Sequence, residues 1–183
     1  NFTKTNSNGW YYKFQGTLKR IGDFETADYV MTNTGFQENN ISFKAGMNRI
    51  DHGFEIYYSL FSNQIGILRS SHAHTANDIV NAINNEIPSV IEEFSYDINI
   101  PRQKISHNLV KIKAFKNFNF GKLSMRYDYQ VNDRKEFDIR REDYRKKPAL
   151  DLNLQTHSVA LDVESKFDGS SNFKAGVSGR YQK

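Results

Sequence analysis

Apolar and polar side chains alternate along most of this chain. From Trp10 to Leu18 the positions Trp10, Tyr12, Phe14, Gly16 and Leu18 are apolar or small, with Tyr11, Lys13, Gln15 and Thr17 between them. The same period recurs at Ile41, Phe43, Ala45, Met47; at Phe54, Ile56, Tyr58, Leu60; and at Val110, Ile112, Ala114. It returns at Leu123, Met125, Tyr127, Tyr129 and at Phe173, Ala175, Val177, Tyr181. Successive side chains of a strand point to opposite faces, so this period predicts strands with one apolar and one wet face. A seventh segment, Leu150 to Glu164, begins in the phase Leu150, Leu152, Leu154 and continues as Val159, Leu161, Val163. That change of phase predicts a one-residue slip or β-bulge between Gln155 and Ser158. The expectation is an all-β chain, an antiparallel up-and-down meander of about seven long strands.

The connections add direction to the meander. Short links (Asn6–Gly9, Asp51–Gly53, Asn117–Gly121, Asp168–Asn172) alternate with long ones (Ile21–Asn39, Asn63–Arg102, Asn132–Ala149). Alternation of this kind collects every long loop at one end of the sheet, as in outer-membrane barrels with short periplasmic turns and longer extracellular loops. The longest link carries a helix signal. Thr75 reads as an N-cap with Asp78 three positions on, Ile79, Val80, Ile83 and Ile87 follow at helical spacing, and Pro88 closes the run.

Composition narrows the class. The 183 residues contain 25 Lys+Arg against 21 Asp+Glu, with both signs interspersed and no polybasic block, which disfavours a dedicated nucleic-acid binder. The absence of cysteine excludes a disulfide scaffold and a cysteine-ligated metal site. Fourteen Phe, ten Tyr and one Trp argue against disorder despite a mean hydropathy of −0.70. No run approaches the apolar length of a membrane-spanning helix, whereas a spanning strand needs only about 9–11 residues, half of them polar. The chain starts at Asn1 without a signal-peptide pattern and stops inside an alternating segment, so it reads as an internal piece of a larger protein.

Several strings, in order, resemble the barrel of TonB-dependent outer-membrane receptors. They are Asn33-Thr34-Gly35-Phe36, Phe54-Glu55-Ile56-Tyr57-Tyr58-Ser59-Leu60-Phe61 and Gly66-Ile67-Leu68-Arg69-Ser70-Ser71-His72. Ile100-Pro101-Arg102-Gln103-Lys104-Ile105-Ser106-His107 and the run from Gln130 to Arg141 extend the likeness, which covers the chain from about Gly9 onward. The resemblance implies a segment of a plugged barrel of about 22 strands, with all of residues 1–183 forming a partial barrel domain. It implies a Gram-negative outer-membrane location and energised uptake of a scarce small-molecule ligand, a ferric siderophore or other iron chelate foremost. The implied partners are outer-membrane lipid, the plug and remaining barrel strands, and the TonB energy-coupling complex acting through that plug. No cofactor and no nucleic acid are implied, and neither plug nor coupling box is recognisable in the sequence. Ile56, Tyr58, Leu60, Met125, Tyr127 and Val177 are expected to face lipid.

Candidate chemistry is sparse. His72 and His74 place two imidazoles in one loop, with His107 beyond it, but this spacing without a carboxylate partner is a weak metal signal, and no metal is expected. Arg134, Arg140 and Arg141 offer guanidinium forks suited to anionic chelates, beside Glu136 and Asp138, but the favoured expectation is that these charges pair with one another across neighbouring strands. His72, His74, Arg134, Arg140 and Arg141 are the candidate ligand contacts. Ser106-His107-Asn108 contains the residue types of a nucleophilic relay, yet neighbours on a strand point to opposite faces, so no catalytic residue and no enzyme activity are expected. The alternative reading is a soluble β-sheet module whose basic wet face (Lys13, Lys44, Lys111, Lys113, Arg126, Lys174, Arg180) meets an anionic polymer or carbohydrate.

Overall fold

The computed structural model describes residues 1–71, 75–138, 147–167 and 171–183. It is built on one antiparallel sheet of eight strands in the order β1-β2-β5-β6-β7-β8-β9-β10. These are Phe2–Thr5 (β1), Trp10–Ile21 (β2), Phe36–Asn48 (β5), His52–Gly66 (β6), Arg102–Phe118 (β7), Gly121–Phe137 (β8), Leu150–Phe167 (β9) and Ser171–Gln182 (β10). Two short strands, Phe24–Glu25 (β3) and Val30–Met31 (β4), pair separately within the β2–β5 connection. The all-β meander is therefore as expected, with eight strands in the sheet rather than about seven. The extra one is β1, too short to show a period. The sheet is open, with β1 and β10 at its edges.

The register is continuous from β2 to β10. One rung runs Phe14, Phe43, Tyr58, Val110, Tyr129, His157, Tyr181 across seven strands. The rungs two and four residues nearer the short turns read Tyr12, Ala45, Ile56, Ile112, Tyr127, Val159, Gly179 and Trp10, Met47, Phe54, Ala114, Met125, Leu161, Val177. Partners across a ladder share a face, so these rungs form one apolar belt. No second layer covers it among the described residues. Among the described residues Ala160 is the buried hydrophobic side chain, whereas Ile56 keeps 44% and Val177 69% of its surface exposed.

The expected slip in β9 does not occur. Leu150 to Glu164 pair with Lys122 to Glu136 without interruption. Leu150, Leu152 and Leu154 therefore lie on the face opposite Val159, Leu161 and Val163. They belong to the long-loop half of the sheet, where Asn153 and Asp151 occupy the belt-bearing face instead. The face changes its character there; the backbone does not change register.

All short turns sit at one end and all long connections at the other. The expected helix is present as α1, Ala76–Asn84, with Thr75 and Asp78 forming a reciprocal capping box, but it ends at Asn84, so Ile87 and Pro88 lie beyond it. Its Ile79, Val80 and Ile83 are exposed. Among the described residues no helix is long and apolar enough to cross a membrane.

The long-loop end holds the best-packed part of the molecule. Asn33, at φ +64°, donates through Nδ2 to Ile67 O (2.9 Å) and Pro101 O (2.7 Å) and accepts from Asn99 N (2.7 Å). Asp23 Oδ1 accepts from Thr34 N, and Thr32 Oγ1 accepts from Glu92 N. Asp23, Thr32, Asn33 and Pro101 are all buried. The backbones of the β2–β5 and β6–β7 connections are thereby tied into one knot, where buried polar groups find partners that water would otherwise supply.

Candidate functional site

Two faces of unlike chemistry and a tied rim define what the molecule presents. On the belt-bearing face, Ile56, Tyr58 and Leu60 project from β6, Met125 and Tyr127 from β8, and Val177 from β10. The structure thus brings all six expected lipid contacts to one surface. Their polar tips are satisfied: Tyr58 Oη donates to Asn108 Oδ1 at 2.9 Å, and Tyr127 Oη lies 2.8 Å from His157 Nδ1. The His157 ring also packs 4.6 Å from that of Tyr129. A hydroxyl placed against an apolar environment needs such a partner.

The opposite face carries an ion-pair network that the sequence period left unassigned. Glu55 receives Lys44 Nζ at 3.2 Å, Lys113 Nζ at 3.8 Å and the Tyr11 hydroxyl at 2.8 Å. Asp128 receives Arg126 Nε at 3.1 Å and Lys111 Nζ at 3.6 Å. Tyr11 reaches Glu55 by lying across Gly46, where a Cβ would stand 2.6 Å from its hydroxyl and 2.5 Å from Phe54 O. A glycine is required there for the approach. Although both carboxylates lie on the wet face, Asp128 is only 7% exposed and the Glu55 side chain 18%. With no second layer among the described residues, that shielding comes from side chains crowding on the same face.

Further toward the long loops, Arg134 directs Nε (3.1 Å) and Nη2 (2.6 Å) to Glu136 Oε1, which also accepts from Gln103 Nε2 at 2.9 Å. The Arg134 guanidinium beside it, and then Gln103, hold the Glu136 carboxyl below its usual range. Arg134 is thus engaged with its own strand. His72, His74, Arg140 and Arg141 lie outside the described residues. His107 shares a contact of 3.3 Å with Gln130 Oε1, and Ser106 occupies the other face of β7, as expected for adjacent strand positions. Among the described residues no group of three or more His, Cys, Asp or Glu could hold a metal ion.

Beyond the belt on the belt-bearing face, Lys104 and Lys135 are direct cross-strand partners. Burial, and then the nearby Arg102, hold the Lys104 ammonium below its ordinary range. Sequence alternation could not flag this pair, because only the register places two residues 31 positions apart opposite each other (135 less 104). The chain matches no family model, no curated protein and no solved structure.

Proposed function

We propose that this chain is a wall segment of an outer-membrane β-barrel of the TonB-dependent receptor type. In this reading the belt faces lipid and the ion-pair network faces the lumen. The observation that carries the reading is the stagger of the short turns. Measured from the Phe14–Tyr181 rung, the last pairs before the turns lie three residues below it (Thr5 with Tyr11), then five (Asn48 with Gly53), eight (Phe118 with Gly121) and ten (Phe167 with Ser171). The total is seven residues (ten less three) over six strand spacings, about 23 Å along the strands against about 29 Å across them. If all four turns border one plane, the strands tilt by roughly 39°, within the ~35–45° of membrane barrels. On β8 the belt spans Leu123 to Val131, about 27 Å of strand. At that tilt its height is about 21 Å, near the ~25 Å apolar band of such barrels. Shielding of Glu55 and Asp128 is what a curl toward the wet face would produce.

Energised uptake of a scarce ligand, an iron chelate foremost, rests on the resemblance of the strings quoted above. The soluble reading loses ground because Lys44, Lys111, Lys113 and Arg126, four of its seven cations, are engaged with Glu55 and Asp128. Polarised infrared spectroscopy of the full-length protein in oriented bilayers should give a mean strand tilt near 39°. Failure to enter the bilayer, or strands lying flat on it, would sink the barrel reading.

A further inference from the structure

The Lys104–Lys135 pair is costly as it stands, because like charges placed directly opposite on a sheet repel. Lys135 Nζ is 3.5 Å from Asp151 Oδ2, but Lys104 makes no ion pair among the described residues, and its charged neighbour is Arg102. The two lysines border a shallow depression of about 260 Å³ lined also by Ser62, Gln64, Ser106 and Asp133. Asp133 makes no ion pair with Lys104, and its Oδ1 accepts from Asn153 Nδ2 of β9 at 2.5 Å. Hydroxyl and amide groups beside two ammonium groups suit a phosphate ester carried on a polyhydroxylated head.

Position narrows the source of that phosphate. The depression lies on the same face as the apolar belt, and Lys135 is four residues beyond Val131, the last belt residue on β8. Four residues advance about 13 Å along a strand, or about 10 Å along the membrane normal at the tilt derived above. The polar zone beyond the hydrocarbon is about 5–8 Å deep on each side, so the Lys135 backbone stands just past it, and a lysine side chain is long enough to reach back to the headgroup of a lipid whose acyl chains lie on the belt. The geometry points to a binding site for the phosphorylated headgroup of an outer-leaflet glycolipid, with Lys104 and Lys135 clamping the phosphate and Ser62, Ser106 and Gln64 meeting its hydroxyl groups. This assignment rests on the barrel reading.

The test uses the full-length protein in bilayer nanodiscs, with insertion scored first by protease protection and resistance to unfolding. Native mass spectrometry then measures retention of bisphosphorylated lipid A, of its dephosphorylated form, and of inorganic phosphate. The double variant Lys104→Gln/Lys135→Gln, in which loss of the repulsion offsets loss of the exposed Lys135–Asp151 pair, should fold and is expected to bind bisphosphorylated lipid A about thirtyfold more weakly, as expected for two surface lysines near an anionic headgroup. Lys104→Arg/Lys135→Arg should restore binding, and Lys13→Gln, on the other face, should leave it unchanged. Equal retention by the inserted wild type and the inserted glutamine variant overturns the site while leaving the barrel intact. Equal retention of the dephosphorylated form, or tight binding of inorganic phosphate alone, overturns the lipid assignment. A wild type that does not insert overturns both.

Discussion

At the scale of single residues, function divides by face, and adjacent positions on one strand report opposite environments. Ile56 points from β6 into the belt and Tyr57, its neighbour, toward the Lys44 ammonium at 5.7 Å. In the proposed barrel, Ile56→Arg near the bilayer midplane should cost about 2–4 kcal/mol, whereas Tyr57→Arg should cost far less. Equilibrium unfolding in lipid vesicles measures both; equal costs would argue against a one-sided lipid contact. Glu136 allows a test beyond the belt. Its carboxyl is held below the ordinary range chiefly by Arg134, so the pair contributes stability above the unfolded carboxyl pKa of about 4.3 and loses it as pH falls through the lower folded value. Arg134→Gln should raise the Glu136 pKa toward its ordinary value, read by carbon-13 NMR titration of that carboxyl. Of the expected ligand contacts, Arg134 alone falls on described residues, and its partner was legible only as one of two alternatives. Residue type shows what a guanidinium can bind but not which carboxylate will reach it first.

Among the elements, the strands outrun the alternation that revealed them. Apolar periodicity in β7 covers Val110 to Ala114, yet the strand runs from Arg102 to Phe118. Near the long loops both faces are mixed, with Ser106 and Lys104 on one and Ile105 and His107 on the other, and period two has no contrast left to show. The β9 phase change has the same origin. Capping chemistry was easier to read, because it is local: Thr75, Asp78 and the isoleucines that follow specify α1 within about three turns. Nine residues make a marginal helix, and α1 buries none of its side chains. Thr75→Ala should therefore remove about 1 kcal/mol of local stability. Faster amide hydrogen exchange across residues 78–84, with the sheet amides unchanged, is the expected readout.

At the scale of the whole molecule, the eight-stranded sheet has both faces uncovered among the described residues and two unpaired edges, β1 and β10. Such a sheet buries little of its apolar belt by itself, and unpaired strand edges are templates for aggregation in water and untenable in lipid. Residues 1–183 alone should aggregate in detergent-free buffer and be held dispersed by detergent micelles, which sedimentation velocity would distinguish. A monodisperse monomer without detergent would contradict the proposed lipid-facing belt. The sequence by itself determined the strand period, the side of the sheet that each belt residue takes, the segregation of turns from loops and the cap of α1. Each of these depends on residues within a few positions of one another. The tertiary structure alone decided the rest: the unbroken register of β9, the stagger that yields the tilt, the knot around Asn33, the sharing of Glu55 and Asp128 among four cations, and the meeting of Lys104 with Lys135. These arise where strands distant in sequence come side by side, and a one-residue shift between them would exchange every face without altering a single local pattern.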